Sequence, residues 1–513
     1  MLAKVLSYGL NGIEGYPVLV ETDVYSGLPC YEIVGLPDMA VKESKERVRS
    51  AIKNSGFEYP AKRVTVNLAP ADMRKEGPIY DLAIAIGILC GSEQVSAEFL
   101  KYMVVLGELS LDGDVRGING VLPMIIEARK RGFKFMVLPY ENAQEASYIK
   151  DIKVFAIKHL TQLTDVLNKK SKAEIYPTSK WKQSTDAQHI AVDFADIKGQ
   201  NQAKRAMEIA AAGGHNLLMI GSPGSGKSML AKALPGILPD FSFEEALEVT
   251  KIHSIAGELK NREIVSSRPF RSPHHTSSQA AITGGGSRTV PGEISLAHRG
   301  VLFFDELPEF NRATLEALRQ PLEDGTVYIS RANSKVSYPA DFMFVAAMNP
   351  CPCGNFGSSE TECRCTPFQI SRYLSKISGP LLDRIDMHIE MGRVNYDDLN
   401  STMQQETSDT VRGRVNAARK IQIERYHGIN IYCNAQLSSS QIKAFCRVEE
   451  AAKVLLKKAY NTLKLSARSY TRVLLVARTI ADLEGCTNVQ AAHVAEAIQY
   501  RTLDRKYWGE IYD

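Results

Sequence analysis

Residues Gly221-Ser222-Pro223-Gly224-Ser225-Gly226-Lys227-Ser228 sit between an apolar run, Asn216-Leu217-Leu218-Met219-Ile220, and the helical stretch Met229 to Leu234, which ends at Pro235. A strand, a glycine-rich turn and a helix in that order commit this part of the chain to a parallel α/β architecture. The glycines permit backbone conformations that a side chain would block. They let successive N–H groups converge on an anion at the positive end of the helix. Lys227 supplies a mobile cation for β- and γ-phosphates, and the Ser228 hydroxyl is suited to magnesium. A second apolar strand, Val301-Leu302-Phe303-Phe304, ends in Asp305 and Glu306. Asp305 is placed to hold the metal or its water, and Glu306 to polarise an attacking water. The chemistry implied is gripping and hydrolysis of ATP with magnesium, through Gly221 to Ser228 and Asp305.

The 513 residues suggest roughly three domains. Apolar content is ordinary for a globular protein. A net charge of +4 is too small to demand a nucleic-acid partner by itself. Met1 to Leu10 has no cleavable-signal pattern, and no apolar run is long enough for a bilayer, so no membrane role is expected. Nine cysteines beside an ATP site fit a reducing cytoplasm.

Three segments separate, joined by a linker. Residues 1–168 alternate short strands and helices, with apolar runs at Tyr16 to Glu21, Arg63 to Leu68, Leu82 to Cys90 and Phe135 to Leu138. Residues 169–192 are polar and carry Lys169, Lys170, Lys172, Lys180 and Lys182, the composition of a linker that could also touch phosphate. Residues 193–395 hold the nucleotide machinery in βα alternation, with a mainly parallel sheet expected. Residues 396–513 are helical in pattern, as at Val454-Leu455-Leu456 and Val473-Leu474-Leu475-Val476.

Later residues narrow the kind of ATPase. Val327 to Tyr338 reads as a hairpin with a basic tip, Arg331-Ala332-Asn333-Ser334-Lys335. Phe342 to Met348 is another buried strand, followed by Asn349, which could orient the attacking water. Leu381-Leu382-Asp383-Arg384-Ile385-Asp386 sets an arginine between apolar residues, where a subunit boundary could lie. Arg468 opens a late helix.

That order resembles the AAA+ superfamily. More narrowly, the chain resembles the ComM/YifB family of its magnesium-chelatase-like branch. The resemblance is carried by Arg268-Pro269-Phe270-Arg271-Ser272-Pro273-His274-His275-Thr276, Gly284-Gly285-Gly286, and Pro291 to His298. It continues through Asp305-Glu306-Leu307-Pro308-Glu309-Phe310, Asn349-Pro350-Cys351-Pro352-Cys353-Gly354 and Ser378 to Asp386. It spans essentially the whole chain. It implies that Asn349 is sensor 1, that Arg384 is a finger reaching a neighbour's γ-phosphate, and that Arg468 is sensor 2, with Arg472 the competing choice. An intrachain pair of Arg384 with Asp383 or Asp386 is the structural alternative. The fold implied has three parts: an N-terminal Lon-protease-like α/β domain, a central AAA+ P-loop core with helices on both faces of a parallel sheet, and a C-terminal helical lid. Lys75-Glu76-Gly77-Pro78, Leu106 to Gly113 and Ile118-Asn119-Gly120 carry the Lon-like part. Ile79 and Asn119 stand where a nucleophilic serine and its lysine would be needed, so proteolysis is not expected.

Cys351-x-Cys353 and Cys363-x-Cys365 are nine residues apart and suit tetrahedral zinc, with free thiols or a redox disulfide as alternatives. His274 and His275 lie in a polar loop with no matched acid. They are expected to contact a neighbour or nucleic acid rather than a metal.

For function, the resemblance implies a ring-forming motor, a hexamer, that drives DNA branch migration as a helicase in bacterial recombination or natural transformation. Arg331 and Lys335 would meet DNA phosphates in the ring's pore. Solvated hairpin charges are the bland alternative for those two residues. The competing functions are a protein-remodelling motor of magnesium-chelatase type and a regulatory ATP switch.

Overall fold

The computed structural model describes residues 1–182, 192–259, 263–286, 289–331, 334–357, 361–394, 396, 405–429 and 431–512, the side chains of 331, 334 and 510–512 excepted. These divide into two compact units. One comprises residues 1–182 and 246–266, the other 183–245 and 267–513.

The first unit is built on a seven-stranded sheet in the order Cys30–Val34, Arg63–Ala69, Glu14–Tyr25, Leu2–Asn11, Met103–Val105, Phe135–Pro139, Lys153–Ile157. Leu2–Asn11 and Glu14–Tyr25 form an antiparallel hairpin, and the strands from Met103 onward run parallel. The apolar run from Leu82 to Cys90 is a helix, Asp81–Gly91, buried on every side. A helix apolar all round has no solvent face to present. Residues 246–266 belong to this unit: the Ser254 hydroxyl donates to buried Glu145 at 2.9 Å and the Gly120 N–H to the Ser254 carbonyl at 3.1 Å. Part of the lysine-rich stretch is also bonded here, the Tyr176 N–H to Val154 O at 2.8 Å and the Ser179 N–H to Ser147 O at 3.0 Å. The rest of that stretch, 183–191, lies outside the described residues.

The second unit carries a five-stranded sheet, parallel throughout, in the order Phe270–Arg271, Val301–Phe304, Met343–Met348, Leu217–Gly221, Met387–Met391. The three central strands are buried at every residue. That is the environment that selects uninterrupted apolar runs. Beyond the sheet the chain is helical, with Ser408–Arg425, Glu450–Leu463, Ala467–Leu483, Ala491–Gln499 and Thr502–Tyr512. Helix Ala467–Leu483 packs its buried face, including Leu474, Ala477 and Ala481, into the same core as Ala206 and Ala210 of helix Asn201–Gly213.

One residue fixes the sheet's entry edge. Asn216 receives the Phe344 N–H on its side-chain oxygen (2.8 Å) and donates its amide to the Arg384 carbonyl (2.9 Å). Its backbone N–H goes to Asp386 Oδ2 at 2.8 Å, and its carbonyl accepts the Met387 N–H at 3.1 Å. Three strands are thereby set level at one end. Asp386 is buried and also pairs with Arg472 at 3.1 Å. Burial alone would raise its pKa, but Arg472, His215 and the Asn216 N–H outweigh burial and hold it below the usual carboxylate range. A carboxylate depressed in the folded state stabilises the fold above its unfolded pKa, and that contribution is lost as pH falls through the folded value. Asp386→Asn is expected to cost about 3–5 kcal/mol at neutral pH, the scale of a broken buried pair. The gap to the parent should close below pH ~4. Chemical denaturation across pH checks both, and a gap that does not change with pH would refute the charge-based account.

Candidate nucleotide site and arginine cluster

The strand Leu217–Gly221 delivers the glycine-rich turn to the sheet's exit edge, and helix Lys227–Ala233 leaves from it. Gly224 and Gly226 have φ of +77° and +90°, which a side chain rarely tolerates. A Cβ at either would point into open space, so the loop presents its backbone outward. Lys227 Nζ lies over the turn, donating to the Gly221 and Ser222 carbonyls at 2.7 and 2.9 Å and to Asn349 Oδ1 at 3.3 Å. Burial lowers its pKa, with Asp305 and Glu306 opposing that shift. The Ser228 hydroxyl meets Asp305 Oδ2 at 2.5 Å. Lys227, Ser228, Asp305 and Asn349 are thus brought together from three adjacent strand ends. An outward-facing backbone, a cation that can let go of two carbonyls, and a hydroxyl–carboxylate pair fit a triphosphate with magnesium.

Glu306 stands one step out. It adopts a left-handed conformation, φ +53°. For a residue with a Cβ this stores strain of about 1–3 kcal/mol and clusters at working sites. Its N–H is tied to Asp305 Oδ1 at 3.0 Å. Its carboxylate lies 3.7 Å from His275 Nδ1, so the His274-His275 loop does have a facing acid, contrary to the sequence-based expectation. The His274 and His275 rings, 4.1 Å apart and tilted by 33°, come from the loop after edge strand Phe270–Arg271. The acid is 31 residues away in sequence, so local pattern carried no signal for it.

Arg384 and Arg468 are elsewhere. The register pairs Leu217 with Met387 and Gly221 with Met391. Arg384 precedes the strand that begins at Met387, so it sits at the entry edge while the glycine-rich turn leaves the exit edge. Five residues at about 3.3 Å each separate those edges by roughly 16 Å. Arg384 pairs with Glu323 through Nη2 and donates Nη1 to the Pro380 carbonyl at 2.7 Å. The acid is neither Asp383 nor Asp386. Arg468 reaches the other oxygen of Glu323 at 3.3 Å, while Arg472 is engaged by Asp386. Sequence reading missed Glu323, whose partners lie 61 and 145 residues further on.

Two further clusters belong to this unit. Strands Thr326–Arg331 and Ser334–Pro339 form the hairpin, closing at Arg331 opposite Ser334. Alternation buries Val327, Ile329, Val336 and Tyr338 and exposes Tyr328, Ser330, Lys335 and Ser337. Ala332 and Asn333 of the tip, and the side chain of Arg331, lie outside the described residues. Cys351, Cys353, Cys363 and Cys365 bring their four sulfurs within 4.8 Å of one another. Sulfur separations of 3.4, 3.7 and 3.6 Å approach the roughly 3.8 Å edge of a tetrahedron with Zn–S bonds near 2.3 Å. Backbone N–H groups of Asn355 and Arg364 draw the Cys353 thiol down to about 6. The loop they form leans on the phosphate turn: Gly354 has φ +81°, and a Cβ there would stand 2.4 Å from Cδ of Pro223.

Comparison with known proteins agrees along the whole chain. A family profile described as Magnesium chelatase, subunit ChlI, matches residues 193–399. Subunit ChlI of Mg-chelatase matches 20–142, and Magnesium chelatase, subunit ChlI C-terminal, matches 405–501. The chain is 46% identical over 507 residues to the competence protein ComM of Haemophilus influenzae, covering 98% of each. It is 46% identical over 495 residues to the uncharacterised protein YifB of Escherichia coli, covering 96% of each. A magnesium-chelatase 67 kDa subunit of Chlorobaculum parvum is 29% identical over 165 residues, 31% of this chain and 23% of that one.

The contact of Gly354 with Pro223 makes the cysteine loop a support for the phosphate turn. Gly354→Ala adds a methyl that overlaps Pro223 and a left-handed cost of about 1–2 kcal/mol. Affinity for a fluorescent non-hydrolysable ATP analogue should fall about tenfold, the effect of roughly 1.4 kcal/mol. An unchanged titration would show that the two loops act independently.

Proposed function

The chain belongs to the ComM/YifB family of magnesium-chelatase-like AAA+ proteins, and on that premise we propose that it is an ATP-hydrolysing ring motor, a hexamer, that works on DNA in the cytoplasm as a branch-migrating helicase. The observation that carries the ring is the separation of Arg384 and Arg468 from the glycine-rich turn. A guanidinium at the entry edge cannot cross roughly 16 Å of strand to its own subunit's phosphates. It can serve a neighbour's.

Magnesium-bound ATP, when held, supplies a γ-phosphoryl group for transfer to water. Gly221 to Ser228 bind its phosphates, with Lys227 exchanging the Gly221 and Ser222 carbonyls for phosphate oxygens. Ser228 and Asp305 would hold the magnesium. Glu306 takes the proton from water, and Asn349 orients that water. Arg384 as finger and Arg468 as sensor 2 complete the site across the subunit boundary, where fingers contribute about 10³–10⁵ in rate.

DNA is favoured as the substrate by the competence protein among the relatives and by the hairpin. The exposed face joins Lys335 to an aromatic ring, Tyr328. Cations that meet backbone phosphate beside a ring that stacks on bases are the equipment of sequence-tolerant binding. The alternative, protein remodelling of chelatase type, draws on the chelatase-subunit profiles, but the chelatase subunit of Chlorobaculum parvum matches only 31% of this chain. The first unit is read as Lon-protease-like without proteolysis. Ile79 is buried in the turn Pro78–Tyr80, and neither it nor Asn119 can act as nucleophile or base. No helix among the described residues is long and apolar enough to cross a membrane.

Arg331→Ala/Lys335→Ala should keep ATP hydrolysis near the parent's level without DNA. It should lose DNA-stimulated turnover and unwinding of four-way junctions. The log–log salt dependence of duplex binding should flatten by about 0.9 per lost phosphate contact. Parent-like binding, unwinding and salt slope would refute the hairpin mechanism. A parent protein that binds no DNA would favour remodelling.

The four cysteines are proposed to hold one structural zinc, since a closed thiolate quartet suits that ion. Elemental analysis should give one zinc per chain, released by thiol-specific titration and absent from Cys353→Ser/Cys363→Ser. Metal-free parent protein purified without chelator would overturn the assignment.

A further inference from the structure

The geometry points to Glu323 as a latch: its carboxylate occupies Arg384 and Arg468 in the separate subunit, so that only a neighbour's triphosphate, by displacing it, turns the two arginines into a completed active site. This rests on the proposal that both arginines act across a subunit boundary.

Three observations lead there. The first is chemical. Arg384 Nη2 binds one oxygen of Glu323 and Arg468 Nη2 the other, at 3.3 Å for the latter. A carboxylate bridging two guanidiniums occupies the donors that a phosphate would use, because both are planar or tripodal anions matched to the same fork.

The second is exposure. The Arg384 side chain is only 9% exposed, whereas Glu323 is 51% exposed. Glu323 sits in the short helix Pro321–Asp324 just ahead of Gly325, whose φ of +62° ends it. The carboxylate can therefore move toward solvent without unpacking a core, leaving the arginine in place. Among the described residues, buried Arg384 Nε has no hydrogen-bond partner, so the guanidinium is not saturated by its contacts there.

The third is the surrounding charge. Glu323, Arg384 and Arg468 line a cavity of about 810 Å³. Arg299 and Arg472 line it too, but Arg299 pairs with Asp341 at 2.7 Å and Arg472 with Asp386 at 3.1 Å. Five carboxylates face four arginines around this space. As it stands the cavity is no anion site. It becomes one only when Glu323 withdraws. A triphosphate with magnesium, carrying its charge at the γ-position, competes with a carboxylate for this pair far better than a diphosphate that stops short of it. The latch thus gives the interface its discrimination between ATP and ADP.

The test uses the full chain and reads assembly by mass photometry against increasing concentrations of a non-hydrolysable ATP analogue or ADP. Glu323→Gln keeps the shape and removes the charge. It should assemble at about tenfold lower analogue concentration, the scale of one charge-assisted hydrogen bond no longer to be displaced. ADP should now support assembly. Glu323→Asp, which keeps the charge, should retain the parent's preference for the triphosphate form. A parent-like response of Glu323→Gln to both nucleotides overturns the latch. So does loss of assembly matching that of Arg384→Ala, which would make Glu323 a residue that positions the arginines. The underlying reading is tested separately by mixing Arg384→Ala with Lys227→Ala subunits. Recovered ATP turnover supports action across the boundary, so a latch failure alongside it is a failure of the latch alone. No recovery in a confirmed mixed oligomer, or a parent that assembles with neither nucleotide, overturns both.

Discussion

Asn216 spends its backbone and side-chain groups on five hydrogen bonds, and the rest of the second unit is arranged by them. A buried amide satisfied this fully acts as a gauge: it sets where each of three strands begins. Strands of similar length that begin level also end level. The glycine-rich turn, Asn349 and the entry to the cysteine loop therefore emerge side by side at the opposite edge. The precision of the nucleotide site is inherited from an interaction at the far end of the sheet. Asp386 ties that gauge to Arg472, and the His215 ring beside it reaches Thr479 at 2.7 Å, so the late helix Ala467–Leu483 is referenced to the same point.

The two edges then divide the chemistry. The groups suited to phosphate and magnesium gather at the exit edge, and two guanidiniums gather at the entry edge on one glutamate. In the proposed ring, a subunit built this way would hold half of two sites rather than the whole of one. Within the nucleotide half, each residue is braced by something chemically dissimilar: Lys227 by carbonyls, Asp305 by a hydroxyl, Glu306 by its own strained backbone with a histidine nearby, and the phosphate turn by the glycine of a thiol-rich loop.

Contiguous chemistry was legible in the chain. The phosphate turn, the acid pair after a buried strand and the hairpin are each written within a dozen residues, where strand period and glycine placement decide the outcome. The parallel sheet and the helical C-terminal region followed from apolar runs in the same way. What could not be read were pairings that folding alone creates. Glu323 had no local mark distinguishing it from Asp324. His275 looked unmatched because its acid follows another strand. Tyr328 gave no sign that strand alternation would leave it outside while Tyr338 went in. Arg384 was assigned plausible acids one and two residues away, yet the helix turn at Pro380 aims it at a third element. Side-chain direction, not proximity in sequence, chose the partner.

The membership of residues 246–266 in the first unit limits how the chain can be divided. The chain passes from one unit to the other at three places, after 182, 245 and 266. One of these passages lies inside the continuous helix Phe243–Ala256. Two bodies joined by one crossing are separated by a single cut; two bodies joined by three crossings are not. Cutting the lysine-rich stretch would not free the first unit, and making residues 1–182 alone would strip buried Glu145 of the Ser254 hydroxyl. The first unit is thus not a contiguous stretch of chain: its fold is completed by residues that follow the start of the second.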